Sequence, residues 1–124
     1  MDLTVTTRRL DDGSGDDGLP VVAAAGELDL TTAPRLRELL VGLATDGERH
    51  AVVDLSGLEF IDSIGLGVIV ATVKRFRSLG GDLHVAVTTD RIRAPFELTG
   101  LTAAFPLHSS VEAAVDAATA AATG

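Results

Sequence analysis

AVVDLSGLEFIDSIGLGVIVATVKRFRSL, residues Ala51 to Leu79, decides the fold. The apolar run Ala51 to Leu55 reads as a strand covered by other elements. Ser56-Gly57 reads as a turn, and the apolar pair Phe60-Ile61 then leads into Asp62-Ser63. Asp and Ser just ahead of a periodic apolar run are helix-start residues, because their side-chain oxygens accept from N–H groups that the first turn leaves unpaired. The helix so begun carries Leu66, Ile69, Val70, Val73 and Phe76 at three- and four-residue steps. That spacing is one buried stripe, and Gly80-Gly81 ends it. Ser63 is therefore presented at the positive end of a helix packed on a sheet. A phosphate placed there would find free N–H donors and a favourable dipole. On local chemistry alone, an ordinary N-cap is the simpler account of Asp62-Ser63.

Working outward toward the N-terminus, Leu3 to Leu10 begins with Leu3 and Val5 alternating with Thr4 and Thr6, a half-buried strand. Asp11 to Gly18, DDGSGDDG, is a long hairpin connection by composition. Leu19 to Gly26 is a second, apolar strand. Gly26 to Pro34 leaves that strand and enters a helix, with Thr31 or Thr32 as its cap and Pro34 in its first turn. Leu36, Leu39, Leu40 and Leu43 make the buried stripe of that helix, with Arg35, Arg37 and Glu38 facing water.

Toward the C-terminus, Asp82 to Thr88 alternates Leu83, Val85 and Val87 with His84 and Ala86, a strand with one face buried. A short helix from about Asp90 to Leu98 contains Pro95 and stops at Gly100. Phe105 to Leu107 reads as a brief last strand. Ser109-Ser110-Val111-Glu112 is a capping box that starts an alanine-rich helix with contacts at Val111, Val115 and Ala118. The order β-β-α-β-α-β-α-β-α predicts an α/β fold. It has a mixed sheet of about five strands, an antiparallel opening hairpin and about four packed helices. The whole of residues 1–124 is expected to be one domain.

Composition excludes several functions. A formal net charge of −8 argues against a nucleic-acid binder, whose affinity would rest on Lys and Arg neutralising phosphates. Trp and Tyr are absent, which removes the usual base-stacking side chains. There is no cysteine, so neither a disulfide framework nor a thiol nucleophile is available. His50, His84 and His108 are widely spaced and form no metal-ligand pattern, so no metal and no cofactor is expected. No apolar run approaches the ~20 residues of a membrane helix, and MDLTVTTRRL lacks the apolar core of a signal peptide. A cytoplasmic protein without a membrane partner is expected.

Three segments carry a family resemblance: GELDLTTAP at Gly26 to Pro34, VVDLSGLEFIDSIGLGVIV at Val52 to Val70, and LTGLTAAFPLHSSVEAAV at Leu98 to Val115. In order and spacing the chain resembles the STAS domain, in its branch of single-domain bacterial anti-sigma factor antagonists. The family's phosphoacceptor serine lies in an Asp-Ser-x-Gly-Leu motif, which here is Asp62-Ser63-Ile64-Gly65-Leu66. Ile64 departs from the small residue that many members carry. The resemblance implies partner switching. The unphosphorylated protein binds an anti-sigma factor that is also a serine kinase, and so frees a sigma factor. Phosphorylation at Ser63 releases the kinase, and a metal-dependent serine phosphatase resets the cycle. It also implies an interface formed by the loop Asp29, Leu30, Thr31 and Thr32 with the helix start Asp62, Ser63, Ile64 and Gly65. Asp62 would shape the acceptor site.

Ile64 and Val68 lie one turn apart, off the Leu66/Ile69/Val73 stripe, and are expected to be apolar partner contacts; the alternative is a second core layer. A phosphoaspartate receiver built on Asp54 fails, because that chemistry needs a lysine on a later strand and Lys74 lies on the central helix. An enzyme also fails for want of any phosphate-loop, serine-elbow or metal motif. A STAS scaffold or transporter-associated subunit is the remaining alternative, differing only in partner.

Overall fold

In a computed structural model, which describes residues 2–11 and 18–123, five strands and four helices follow the expected order. They are β1 (Leu3–Leu10), β2 (Leu19–Leu28), α1 (Ala33–Thr45), β3 (His50–Ile61), α2 (Ser63–Ser78), β4 (Asp82–Ala86), α3 (Asp90–Leu98), β5 (Leu107–His108) and α4 (Val111–Thr123). A single 3-10 turn, Leu101–Ala103, joins α3 to β5. Of the expected hairpin connection Asp11 to Gly18, residues 12–17 lie outside the described residues. Strand order is β1-β2-β3-β4-β5, with β1 antiparallel to β2 and every other pair parallel.

Side chains alternate across a strand, so each strand feeds two cores. Val22, Val53 and Val85 pack with Leu36 and Leu40 of α1, Ile69, Val73 and Phe76 of α2, and Ile92 and Phe96 of α3. Val21, Val52 and Ala86 point the other way, into a smaller core closed by Ala114 and Ala118 of α4. β4 is consequently buried on both faces, not one, because α4 covers the side that carries His84 and Ala86.

Packing, not propensity, makes α2 a helix. Gly65, Gly67 and a run of β-branched residues cost up to about 1 kcal/mol each relative to alanine. Complete burial of Ile69, Val73 and Phe76 returns about 1.5–3 kcal/mol per side chain. Of the expected stripe only Val70 is half exposed. Thr72 takes the inner position instead, its hydroxyl donating to the Val68 carbonyl at 2.7 Å.

Ser56-Gly57 is not a turn. β3 continues through it to Ile61, with register shifts against β2 at Ala23/Ala25 and at Gly26/Glu27. The Asp54 carboxylate accepts from the Ser56 N–H and hydroxyl, a local bond that keeps the irregular stretch ordered. Glycine is required at 57, where a Cβ would lie 2.8 Å from Ala25 Cβ. β2 likewise runs past Gly26, whose φ of +107° suits the second irregularity, to Leu28.

Smaller departures are local. Leu39 and Leu43 are only partly buried on α1, and Ala33 and Ala44 complete its inner face. β5 is Leu107–His108, starting two residues later than expected and ending one later, because Phe105 turns into the core edge-on to Phe96. Ser110, not Ser109, caps α4, accepting from the Ala113 N–H at 3.0 Å; Glu112 then falls one position short of a capping box. On α4 Ala114 and Ala118 are buried, while Val111 and Val115 are partly so.

Candidate functional site

At one end of the sheet, the loop leaving β2 meets the start of α2. The loop is built around Asp29, 8% exposed, whose Oδ1 accepts from the Thr31 N–H at 2.9 Å, the Thr31 hydroxyl at 2.8 Å and the Thr32 N–H at 3.1 Å. The Thr31 hydroxyl chiefly, with these backbone donors, holds the Asp29 carboxyl below the usual carboxylate range, against the opposing effect of burial. Thr32 does not cap α1 with its side chain, as expected from its position. Its hydroxyl accepts from the Asp29 N–H at 3.0 Å and donates to the Glu27 carbonyl at 2.8 Å. The carboxylate that orders the entry to α1 belongs to Asp29.

Asp62 is the N-cap of α2, in extended backbone conformation. Its Oδ1 accepts from the Gly65 N–H at 2.8 Å, the expected cap. Its Oδ2 accepts from the Leu30 N–H at 3.0 Å, 32 residues away in the chain. The Asp62 N–H in turn donates to the Leu28 carbonyl at 3.1 Å. One carboxylate therefore pins the β2–α1 loop to the first turn of α2. The Leu30 link could not be foreseen, since no local pattern connects residues 30 and 62.

Ser63 is the first helical residue and is exposed. Its N–H and that of Ile64 have no partner among the described residues, as the geometry of a helix start requires. Ile64, its neighbour in the chain, is 46% exposed, and Leu30, whose N–H is held by Asp62, is 65% exposed. Gly65 is buried against the end of β2, where a Cβ would come within 2.6 Å of the Leu28 carbonyl oxygen. Only glycine lets α2 start this close to the sheet. Val68, half-buried and packed on the core, lies one turn beyond Ile64. An open groove of about 780 Å³ between α1 and α2 is lined by Ile64 and Val68 together with Ala33, Pro34, Arg37 and Val41. Leu30, Thr31, Ser63 and Ile64 are thus exposed at this end of the sheet and Asp62 partly so, while Asp29, Thr32 and Gly65 are buried and Val68 lines the adjoining groove.

The family model described as the STAS domain matches residues 14–114, a span that contains both halves of this surface. The chain belongs to the STAS domain family. This STAS domain is 40% identical over 80 residues to the anti-sigma-B factor antagonist of Staphylococcus aureus, covering 64% of this chain and 74% of that protein. The crystal structure of an anti-sigma factor antagonist from Mycobacterium paratuberculosis is similar at 32% identity with a TM-score of 0.82, covering 94% of each chain. The Bacillus cell fate determinant SpoIIAA in its phosphorylated form is similar at 18% identity and a TM-score of 0.67, covering 91% of this chain and 97% of that one. That likeness shows the shared fold. Among the described residues of this STAS domain, no helix is long and apolar enough to cross a membrane.

Proposed function

We propose that this STAS domain is an anti-sigma factor antagonist that works by partner switching, with Ser63 as the switch. The observation that carries the proposal is the exposed Ser63 at the start of α2, next to exposed Ile64 and to Asp62, whose carboxylate ties the loop of exposed Leu30 to this helix start. The names of the Staphylococcus aureus and Mycobacterium paratuberculosis relatives support it. The partner is an anti-sigma factor with serine kinase activity. It transfers the terminal phosphoryl group of ATP to Ser63 Oγ, which gives up its proton, and leaves ADP. A metal-dependent serine phosphatase reverses the modification by hydrolysis. The STAS domain is itself a binding protein, cytoplasmic and without enzymatic activity.

The geometry supplies a mechanism for the switch. Leu30, Thr31, Asp62, Ser63 and Ile64 form the docking surface, buried Asp29, Thr32 and Gly65 support it, and Val68 continues it in the groove. Phosphorylation adds about −1.5 to −2 charges one residue from the Asp62 carboxylate. The free N–H groups of Ser63 and Ile64 and the helix dipole stabilise the phosphate within this chain. Repulsion then acts on Asp62, the pin that holds Leu30 in place. An apolar docking surface acquires a dianion at its centre.

Incubation with the cognate kinase and ATP, followed by mass mapping, is expected to place the phosphate on Ser63. Ser56 is bonded to Asp54, Ser78 donates to the Arg75 carbonyl and Ser110 caps α4, so these hydroxyls have structural partners. A main phosphosite elsewhere removes the assignment. Capture of a transporter subunit in place of a kinase-like protein by the unphosphorylated form removes the function.

Ile64→Ala is expected to change folding stability by no more than about 0.5 kcal/mol, as exposed positions do, yet to weaken partner binding by about 1–2 kcal/mol. Val68→Ala, at a half-buried position, is expected to cost about 1 kcal/mol of stability as well. Denaturant melts run beside partner titrations separate the two effects. A stability loss of several kcal/mol at Ile64 with binding retained would make it a core residue.

A further inference from the structure

The three histidines that the sequence sets far apart meet on the α4 face of the sheet. His50 is on β3, His84 on β4 and His108 on β5. His50 and His84 each lie two residues before Val52 and Ala86, which contact α4, and so share their face. His50 Nδ1 and His84 Nε2 are 3.2 Å apart, with ring centroids at 5.4 Å; the His84 and His108 rings follow at 6.3 Å. His84 is 8% exposed.

The His50–His84 hydrogen bond needs one N–H and one bare nitrogen. Two imidazolium rings would aim N–H groups at each other, so the contact survives only while at least one ring is neutral. Among the described residues, Asp82 is the carboxylate that acts on both rings, and it is already engaged. Asp82, at the start of β4, already accepts from Arg77 Nε at 3.0 Å and from the Leu83 N–H at 2.9 Å. Asp54, farther along the His50 face of β3, is held by Ser56. Arg49 and Arg77 are the charged neighbours of like sign. From α4, the sheet-facing groups are Val111, Ala114, Val115 and Ala118, all apolar, while Glu112 and Asp116 are exposed. The strands on the other side of β3 bring Leu10, Leu19 and Val21. α4 is also held mainly by small side chains, which bury little apolar area to set against a new charge.

We propose that the His50–His84 pair is an acid-sensitive clasp, whose protonation frees α4 from the sheet while the face carrying α1 and α2 stays folded. Burial, the largest cause, pushes the His84 imidazole down to about 4 from its ordinary 6.5, against the pull of Asp82, and pushes His50 down as well. A base with its folded pKa depressed binds fewer protons folded than unfolded. The stability it permits is complete above about pH 6.5 and is lost as pH falls from 6.5 toward 4.

Hydrogen exchange on the intact protein between pH 7 and pH 4, corrected for intrinsic rates, tests the clasp. Protection across α4 is expected to fall on the order of 100-fold over that range, with protection across α2 retained. His50→Gln with His84→Gln, which keeps hydrogen-bonding groups but cannot charge, is expected to flatten the fall. Nitrogen NMR of the unaltered protein should place His84 titration below pH 5, and this reading stands whether or not the double variant folds. Unchanged α4 protection, simultaneous loss across α2 and α4, or His84 titrating near 6.5 would each overturn the proposal.

Discussion

Ser63→Asp is expected to lower affinity for the anti-sigma partner by about 2 kcal/mol or more, roughly 30-fold, with little change in the unfolding midpoint. The two expectations come from opposite sides of the same helix terminus. Within the chain, a carboxylate at the first helical residue meets the free N–H groups and the positive end of the dipole, an effect of a few tenths of a kcal/mol in its favour. Across the proposed interface, the same charge sits beside exposed Ile64, where docking would remove its water and leave it unpaired. Ser63→Ala, which removes only a hydroxyl, is expected to bind like the unmodified protein and to resist switching. Calorimetry giving equal affinities for the Asp and Ala variants would contradict the docking surface itself. A large loss of stability in Ser63→Asp would instead contradict the exposed helix start.

Gly65→Ala is expected to destabilise the fold by about 2 kcal/mol, and Gly67→Ala, two residues on, to stabilise it by up to about 1 kcal/mol. Both exchanges gain the same helix propensity, so the difference isolates the surroundings. At Gly65 the new Cβ meets the Leu28 carbonyl oxygen at 2.6 Å, Leu28 Cγ at 2.8 Å and Ile61 Cγ1 at 3.1 Å. Relief requires α2 to back away from β2, which also draws the Gly65 N–H off the Asp62 carboxylate and loosens the cap, itself worth about 1 kcal/mol. At Gly67 no atom lies within 4 Å of the new methyl. Denaturant midpoints for the pair check the result. Equal shifts of the same sign would mean that α2 does not approach the sheet as described.

Much of this protein was legible from local chemistry. The apolar strands, the stripe Leu66-Ile69-Val73-Phe76 and the cap at Asp62 are periodic or nearest-neighbour features, and all are present in the structure. The element order and the antiparallel opening of a mixed sheet follow from them. Local chemistry gives Asp62-Ser63-Ile64-Gly65-Leu66 only as a helix start, with a carboxylate cap, an exposed serine, a glycine and an inward leucine. It is the resemblance to the STAS family that singles it out as the candidate site. What only the tertiary structure decided depends on strand register and on which helix covers which face. Ser56-Gly57 reads as a turn until β2 lies beside it, when the missing Cβ becomes the space for Ala25 and the strand continues. Asp62 reads as a cap alone until the β2–α1 loop brings the Leu30 N–H to its second oxygen. His50, His84 and His108 read as isolated until three parallel strands align them under α4. Periodicity specifies which side of an element is apolar. Contacts between residues 30 and 62, or 50 and 84, exist only after the sheet has assembled, because its hydrogen-bond ladder sets their distance.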